Sequence, residues 1–213
     1  MKLIDYTVHE FVKELDSASP APGGGSASAL ASAMGMALSR MVGHLTIPKK
    51  KFKALDDSVQ DTFIEVHEVL RDFERRTLEL IDADTAAFNE IMKAFKMPKD
   101  SDEAKKRRKD AIETATYKAT EVPLEIAEVA FKVLKKMHII LKHGNKNAIS
   151  DIGVSVLLLH AGLEGAILNV KINLPGISDQ AYVSEIKERI TVLHEEGKAI
   201  KSDILSQVHG AIE

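Results

Sequence analysis

The chain has 213 residues, a formal net charge of -3, 45% hydrophobic and 29% charged residues, and neither cysteine nor tryptophan. This composition can bury a core and stay hydrated, and its charge balance makes no global case for nucleic acid or a membrane surface as partner. Without cysteine there are no disulfides, thiolate nucleophiles or Cys-based zinc sites, and with 5% aromatics base stacking is not an evident mode of action.

No N-terminal apolar leader is visible and no apolar run approaches the roughly 20 residues that span a bilayer, so a cytoplasmic location is expected. Apolar residues recur at helical spacing throughout and strand alternation is missing, which predicts one all-α domain over residues 1–213. A short helix is expected from about Val8 to Ser17, ending before Ser19-Pro20, because the residue ahead of a proline avoids the α region. Two prolines then stiffen the run Pro20-Ala21-Pro22-Gly23-Gly24-Gly25-Ser26, whose glycines let another group approach the backbone. Ser26 is the N-cap candidate for a second helix, to about Leu45. A glycine loop feeding a helix N-terminus suits an anion or a carbonyl-rich ligand, although a tight turn before a closely packed helix would look the same. The stripe Ser28, Ser32, Gly35, Ser39 has little area to bury but admits a neighbour close to its backbone, which places this helix at the centre of a bundle.

After Pro48-Lys49-Lys50-Lys51, a long helix is predicted from about Lys53 to Lys96, with the stripe Leu55, Val59, Phe63, Val66, Leu70, Phe73, Thr77, Leu80, Asp84, Ala87, Ile91, Phe95. Asp84 is a carboxylate at a core position, so it must have partners or face a wet cavity. The next segment runs from near Asp100 to His143, with a kink or break expected at Pro123 and Gly144 as a left-handed cap. A fifth helix, about Asn147 to Asn173, has one apolar face and a second face of Asp151, Ser155, Leu158, Gly162, Gly165, Asn169 and Asn173. Asp151 and Asn169 are about 27 Å apart on a straight helix, so they serve opposite ends of a long ligand or two sites built across a dimer. A last amphipathic helix follows from Ser178 to about His209.

The glycine loop is no P-loop, and the eight histidines are scattered without a His-Glu-x-x-His motif. His67, His194 and His209 read as solvated, His160 as a core residue, and Lys105 to Lys109 as a solvated face. Asp84 and Asp151 are the acid/base candidates, each against the alternative of a buried carboxylate that caps a helix or pairs with a lysine. Capping is likewise the alternative for Asn145, Asn147, Asn169 and Asn173.

The motifs Ser19-Pro20-x-Pro22-Gly23-Gly24-Gly25-Ser26, Asp82-x-Asp84-x-x-x-Phe88, Met97-Pro98-Lys99, Gly144-Asn145 through Ser150-Asp151-x-Gly153-Val154, and Asn169-Val170-x-Ile172-Asn173-Leu174 occur in that order. Together they resemble the cyclodeaminase/cyclohydrolase domain of the formiminotransferase-cyclodeaminase family, over roughly residues 5 to 175. The chain departs from the family with Gly43-His44 in place of the commoner Ala-Arg, Pro48 in place of a glycine, and Lys171 in place of arginine. The resemblance implies an all-helical homodimer that acts on a tetrahydrofolate derivative, free or polyglutamylated, with no cofactor beyond that substrate and no metal, nucleic acid or membrane partner. It implies either closure of 5-formiminotetrahydrofolate to 5,10-methenyltetrahydrofolate with release of ammonia, the leading expectation, or hydrolysis between methenyl- and 10-formyltetrahydrofolate. A non-catalytic dimeric scaffold or folate-binding protein is the third possibility. On this reading Asp84 and Asp151 shuttle protons, while Pro22, Gly23, Gly24, Gly25, Ser26, Lys99, Asn145, Asn147, Asn169, Lys171 and Asn173 hold substrate.

Overall fold

The helical periodicity is realised as eight α-helices and three short 3-10 turns in the computed structural model, which describes all 213 residues and contains no strand. The helices are α1 (Val8–Leu15), α2 (Gly24–Thr46), α3 (Lys50–Lys53), α4 (Asp57–Phe95), α5 (Asp102–Leu134), α6 (Met137–His143), α7 (Ile149–Asn173) and α8 (Gln180–Ile212).

The small-residue faces of α2 and α7 meet, and they meet antiparallel: Ser28 and Ser32 lie against Gly165 and Gly162, while Gly35 and Ser39 lie against Ser155. Side chains as short as these let the two backbones approach closely. A Cβ on Gly35 would come within 2.8 Å of the Ser155 carbonyl oxygen, and one on Gly162 within 2.7 Å of the Ser28 carbonyl oxygen. Hydroxyls pair with one another and with backbone carbonyls at one end of this seam, whereas the buried Ser32 Oγ has no hydrogen-bond partner. Ser155 Oγ donates to the Gly35 carbonyl at 2.7 Å and lies 2.6 Å from Ser39 Oγ. Around the pair, α4 packs on α2, α5 and α8 pack on α7, and α4 also contacts α5. The core formed by these contacts holds Met36, Phe63, Leu70, Ile126, Leu134 and Leu163 fully buried.

Several sequence expectations shift. The long helix is interrupted at Ala54–Asp56, so α3 and α4 are separate, and Phe95 at the end of its stripe is 49% exposed. No break occurs at Pro123, which sits inside a continuous α5; the chain breaks instead at Lys135–Lys136. Proline at 123 has no N–H to give the carbonyl four residues earlier, and that carbonyl, Ala119 O, receives Asn173 Nδ2 at 2.7 Å instead. Gly144 is extended (φ -66°, ψ 162°), not left-handed. Its need for glycine is steric, since a Cβ would sit 3.0 Å from Val42 Cγ1 and closer still to the Ile140 carbonyl. His67 is buried, not solvated: it packs on Gly43, where a Cβ would collide with its ring. Finally, the segment Lys146–Gly176 is long and apolar enough to cross a membrane (mean hydropathy 1.5), which corrects the expectation that no such run exists; 56% of its apolar window is buried among the other helices.

Candidate active site

The N-cap of α2 falls three residues earlier than expected. Gly23 is the N-cap, and Ser26, expected in that role, lies in the first turn. The capping group comes from another helix: Asp84 Oδ2, on α4, accepts the Ser26 N–H at 2.9 Å and the Ser26 hydroxyl at 3.3 Å. A carboxylate at a helix N-terminus meets both unpaired N–H groups and the positive end of the helix dipole. Glycine at 25 is required by this approach, because a Cβ there would overlap the Asp84 carboxylate. The Ser26 hydroxyl also contacts the Ile81 carbonyl at 2.7 Å and Thr85 Oγ1 at 3.1 Å, which holds α2 on α4 at this point.

Asp84 gives Oδ2 to the α2 cap and also lines a pocket of about 250 Å³ with Gly23, Gly24, Gly25, Phe88, Asn169 and Asn173. Burial pushes its carboxyl above the ordinary value, and the hydrogen bonds from the Ser26 hydroxyl and N–H oppose that shift without cancelling it. Asn169 donates Nδ2 to Gly165 O at 2.8 Å and lies against Gly24. Its side-chain carbonyl is left without a protein donor. Asn173 commits its Nδ2 to the carbonyl freed by Pro123 and serves the fold as well as the pocket wall. Pro22 is buried immediately beside this wall, after a cis Ala21–Pro22 bond.

The remaining sequence candidates lie elsewhere. Asn145 and Asn147 line a larger cavity of about 520 Å³ at the opposite end of α7, together with Lys49, Lys50, Lys51 and Lys142. There Asn145 Oδ1 accepts the Asn147 N–H at 3.2 Å, the local capping role. Asp151 is half-buried on the first turn of α7 at that same end. The folded chain therefore does not bring Asp84 and Asp151 together. Lys99 is exposed in the α4–α5 link, and Lys171 lines an open outer groove with Pro175 and Lys187, so neither lysine reaches the Asp84 pocket.

Phe88, Ala119 and Ile172 also line that pocket although composition does not mark them. The cue for Phe88 is its position one helical turn beyond Asp84. The fold brings the consecutive lysines Lys49, Lys50 and Lys51, at the start of α3, together with Lys142 of α6 around Asn145.

A helical bundle with a helix-capping carboxylate in the wall of a small pocket defines a class of domain that comparison with known proteins specifies further. The sequence profile of formiminotransferase-cyclodeaminase matches residues 7–192, and the chain belongs to that family. It is 39% identical over 207 residues to a methenyltetrahydrofolate cyclohydrolase of Methylorubrum extorquens, with 97% of each chain covered. It is 34% identical to a formimidoyltransferase-cyclodeaminase of Sus scrofa, of which it spans 37%. The solved structure of a formiminotetrahydrofolate cyclodeaminase from Thermotoga maritima superposes with a TM-score of 0.78 at 26% identity, covering 97% of this chain and 95% of that one.

Proposed function

We propose that this chain is a one-carbon tetrahydrofolate enzyme in which Asp84 moves the protons. The observation that carries the reading is the Asp84 carboxyl itself: half-buried, raised above its ordinary value, and facing a pocket with Asn169 and Phe88. A proton carrier works best when its affinity for the proton is brought toward the working pH, and burial does this for a carboxyl.

The first reaction we assign is cyclohydrolysis, supported by the relative that matches end to end at 39% identity. Water adds to the carbon bridging N5 and N10 of the methenyl cation, and Asp84 takes its proton as the O–C bond forms. The C–N5 bond then breaks, N5 keeps the electron pair and is protonated from the Asp84 carboxyl, and one proton is released overall. Cyclodeamination is the second reading, supported by the end-to-end likeness to the Thermotoga maritima structure. In that reaction N10 attacks the protonated formimino carbon and passes its proton to Asp84. Asp84 in turn protonates the departing nitrogen, and the C–N bond breaks to give ammonia and the methenyl product. Both reactions need one carboxyl that accepts and then donates, and neither reading calls on a cofactor beyond the folate.

Within the pocket, Phe88 offers a flat apolar wall and the unpaired Asn169 carbonyl offers an acceptor to ring N–H groups. The test is spectrophotometric. Decay of added methenyltetrahydrofolate, faster than its spontaneous hydrolysis, supports the first reading. Methenyl formation from 5-formiminotetrahydrofolate with ammonia release supports the second. Inactivity on both substrates removes the proposal and leaves a folate-binding or scaffold role.

A further inference from the structure

Proline is the least favourable residue inside a helix, yet Pro123 is buried in the interior of α5. It has no N–H for the Ala119 carbonyl four residues earlier, and a proline ring crowds such a carbonyl away from the helix axis. The freed oxygen receives Nδ2 of Asn173, the last residue of α7, at 2.7 Å. With an ordinary residue at 123 the same oxygen would be shared with a helix N–H and aligned along the axis, a weaker acceptor for a side chain on another helix. Ala119 and Asn173 both line the Asp84 pocket, so this bond lies in the pocket wall.

The bond settles which way the Asn173 carboxamide faces. A backbone carbonyl can only accept, so the amide nitrogen must point to α5. Turning the amide by 180° would put its oxygen where the nitrogen stands, 2.7 Å from the Ala119 oxygen, two acceptors with no hydrogen between them. Asn169, one turn earlier, is oriented by the same logic: its Nδ2 donates to the Gly165 carbonyl at 2.8 Å. No protein donor reaches Oδ1 of either residue. Neither oxygen is one of the six buried polar atoms that go unpaired in this fold, so both are open at the pocket they line.

Side chains one turn apart on a helix have Cβ atoms about 5–6 Å apart, close enough for both oxygens to converge on one group. Two fixed acceptors suit a group that carries hydrogens on neighbouring nitrogens. An amidine unit, a ring N–H beside an amino group, is such a group, and the pterin of a tetrahydrofolate has one on its pyrimidine ring. We propose that Pro123 is a positioning residue of the site: by freeing the Ala119 carbonyl it fixes the Asn173 amide, whose oxygen joins that of Asn169 as an acceptor pair selecting the amidine edge of the substrate. The choice of substrate edge rests on the folate reading. The fixing of the amide rests on the geometry of α5 and α7 alone.

Binding of 5-formyltetrahydrofolate, a stable folate, tests the pair by calorimetry on the full chain. Wild type should prefer it by about tenfold or more over the analogue whose 2-amino group is replaced by methyl, because that analogue leaves acceptors unpaired. Pro123→Ala should weaken binding by about 3- to 10-fold, the worth of one side chain ordered in advance, and should reduce the preference. Its helical circular dichroism should be kept and its Tm held or raised, since alanine returns the missing helix N–H. In turnover the loss should fall on KM with kcat within about twofold, because Asp84 is untouched. Pro123 acts through Asn173, so in an Asn173→Ala background the same substitution should change affinity by less than about twofold. Asn173→Asp leaves α5 intact but cannot donate to Ala119 when ionised, and it should bind at least as weakly as Pro123→Ala.

Equal weakening by Pro123→Ala in both backgrounds overturns the positioning role, as does wild-type affinity in Pro123→Ala or in Asn173→Asp. Equal affinity of wild type for the two ligands overturns the acceptor pair. The amide lock is also read without ligand. Asn173→Ala should lower Tm by about 2–4 °C in wild type, one hydrogen bond's worth in a chain of this size, and by less in Pro123→Ala, where the helix N–H serves Ala119. Absence of that coupling refutes the lock. A wild type that binds neither ligand but shows the coupling removes the folate reading and the substrate edge with it, and leaves the lock standing.

Discussion

Gly162→Ala tests the seam that positions the whole site. On propensity alone it should stabilise: alanine is better than glycine inside a helix by about 0.8–1.0 kcal/mol. The tertiary structure opposes this. The new Cβ would stand 2.7 Å from the Ser28 carbonyl oxygen and 3.1 Å from the Ser32 nitrogen, and closer than either to the Ser32 hydroxyl. A hydroxyl can rotate away but a backbone carbonyl cannot, so α7 has to move off α2. Overpacking of this kind costs about 1–3 kcal/mol. The displacement also strains the Ser39–Ser155 and Ser155–Gly35 hydrogen bonds, each worth about 1 kcal/mol net. The balance is a loss of about 3 kcal/mol, and for a chain of this size Tm falls by about 2–4 °C per kcal/mol, hence by about 6–12 °C. Gly210→Ala is the control, because nothing lies within 4 Å of a Cβ there; its Tm should hold or rise slightly. Thermal denaturation followed by circular dichroism decides the matter. A Gly162→Ala protein as stable as wild type, or more so, would refute close backbone approach as the reason for the small-residue faces.

Asp84→Asn should lower turnover by about 10²- to 10⁴-fold, the usual worth of an acid/base group, with the helical fold kept. Since the Asp84 carboxyl is raised in the fold, its contribution to wild-type stability is complete below its ordinary value of 3.8 and is lost as pH climbs through the folded value. The Tm of Asp84→Asn relative to wild type should therefore increase from acid to neutral pH; a constant difference would contradict the burial argument. Ser26→Ala removes one of the two bonds that hold the Asp84 carboxyl down, so the acid limb of the pH–rate profile should move upward, with a stability loss of about 1 kcal/mol. Buried His67 is held below its ordinary value of 6.5, first by desolvation and then by His44 and Arg40. Its neutral form supports the fold at neutral pH, and that support is lost as pH falls below 6.5 through the folded value. Denaturant titrations of His67→Gln should show a flatter pH dependence there than wild type.

Much of the bundle could be read along the chain because helical periodicity is a local property. The stripe Phe63, Val66, Leu70, Leu80 is buried as its spacing requires, and the serine–glycine stripe of α2 does admit a neighbour. The readings that failed depend on partners far away in sequence. Of the kink or break expected at Pro123 the break is absent, and Asn173, 50 residues later, supplies a donor to the carbonyl the proline frees. Ser26 is not the cap because Asp84 reaches the helix end first. His67 looks solvated among charges, but Gly43 on another helix opens a slot for its ring.

By itself the sequence determined an all-α chain, its two small-residue helices, the presence of a carboxylate at a core position, and the family to which the five motifs point. Each of these follows from short-range spacing or from residue identity. Only the tertiary structure decided how the named residues divide. Asp84 joins the glycine loop, Asn169 and Asn173 at one end of α7, whereas Asn145, Asn147 and Asp151 fall with a lysine-lined cavity at the other. The reason is the antiparallel pairing of α2 with α7: residues near in one helix are sorted by which end of the other they meet, and no pattern within either helix encodes that.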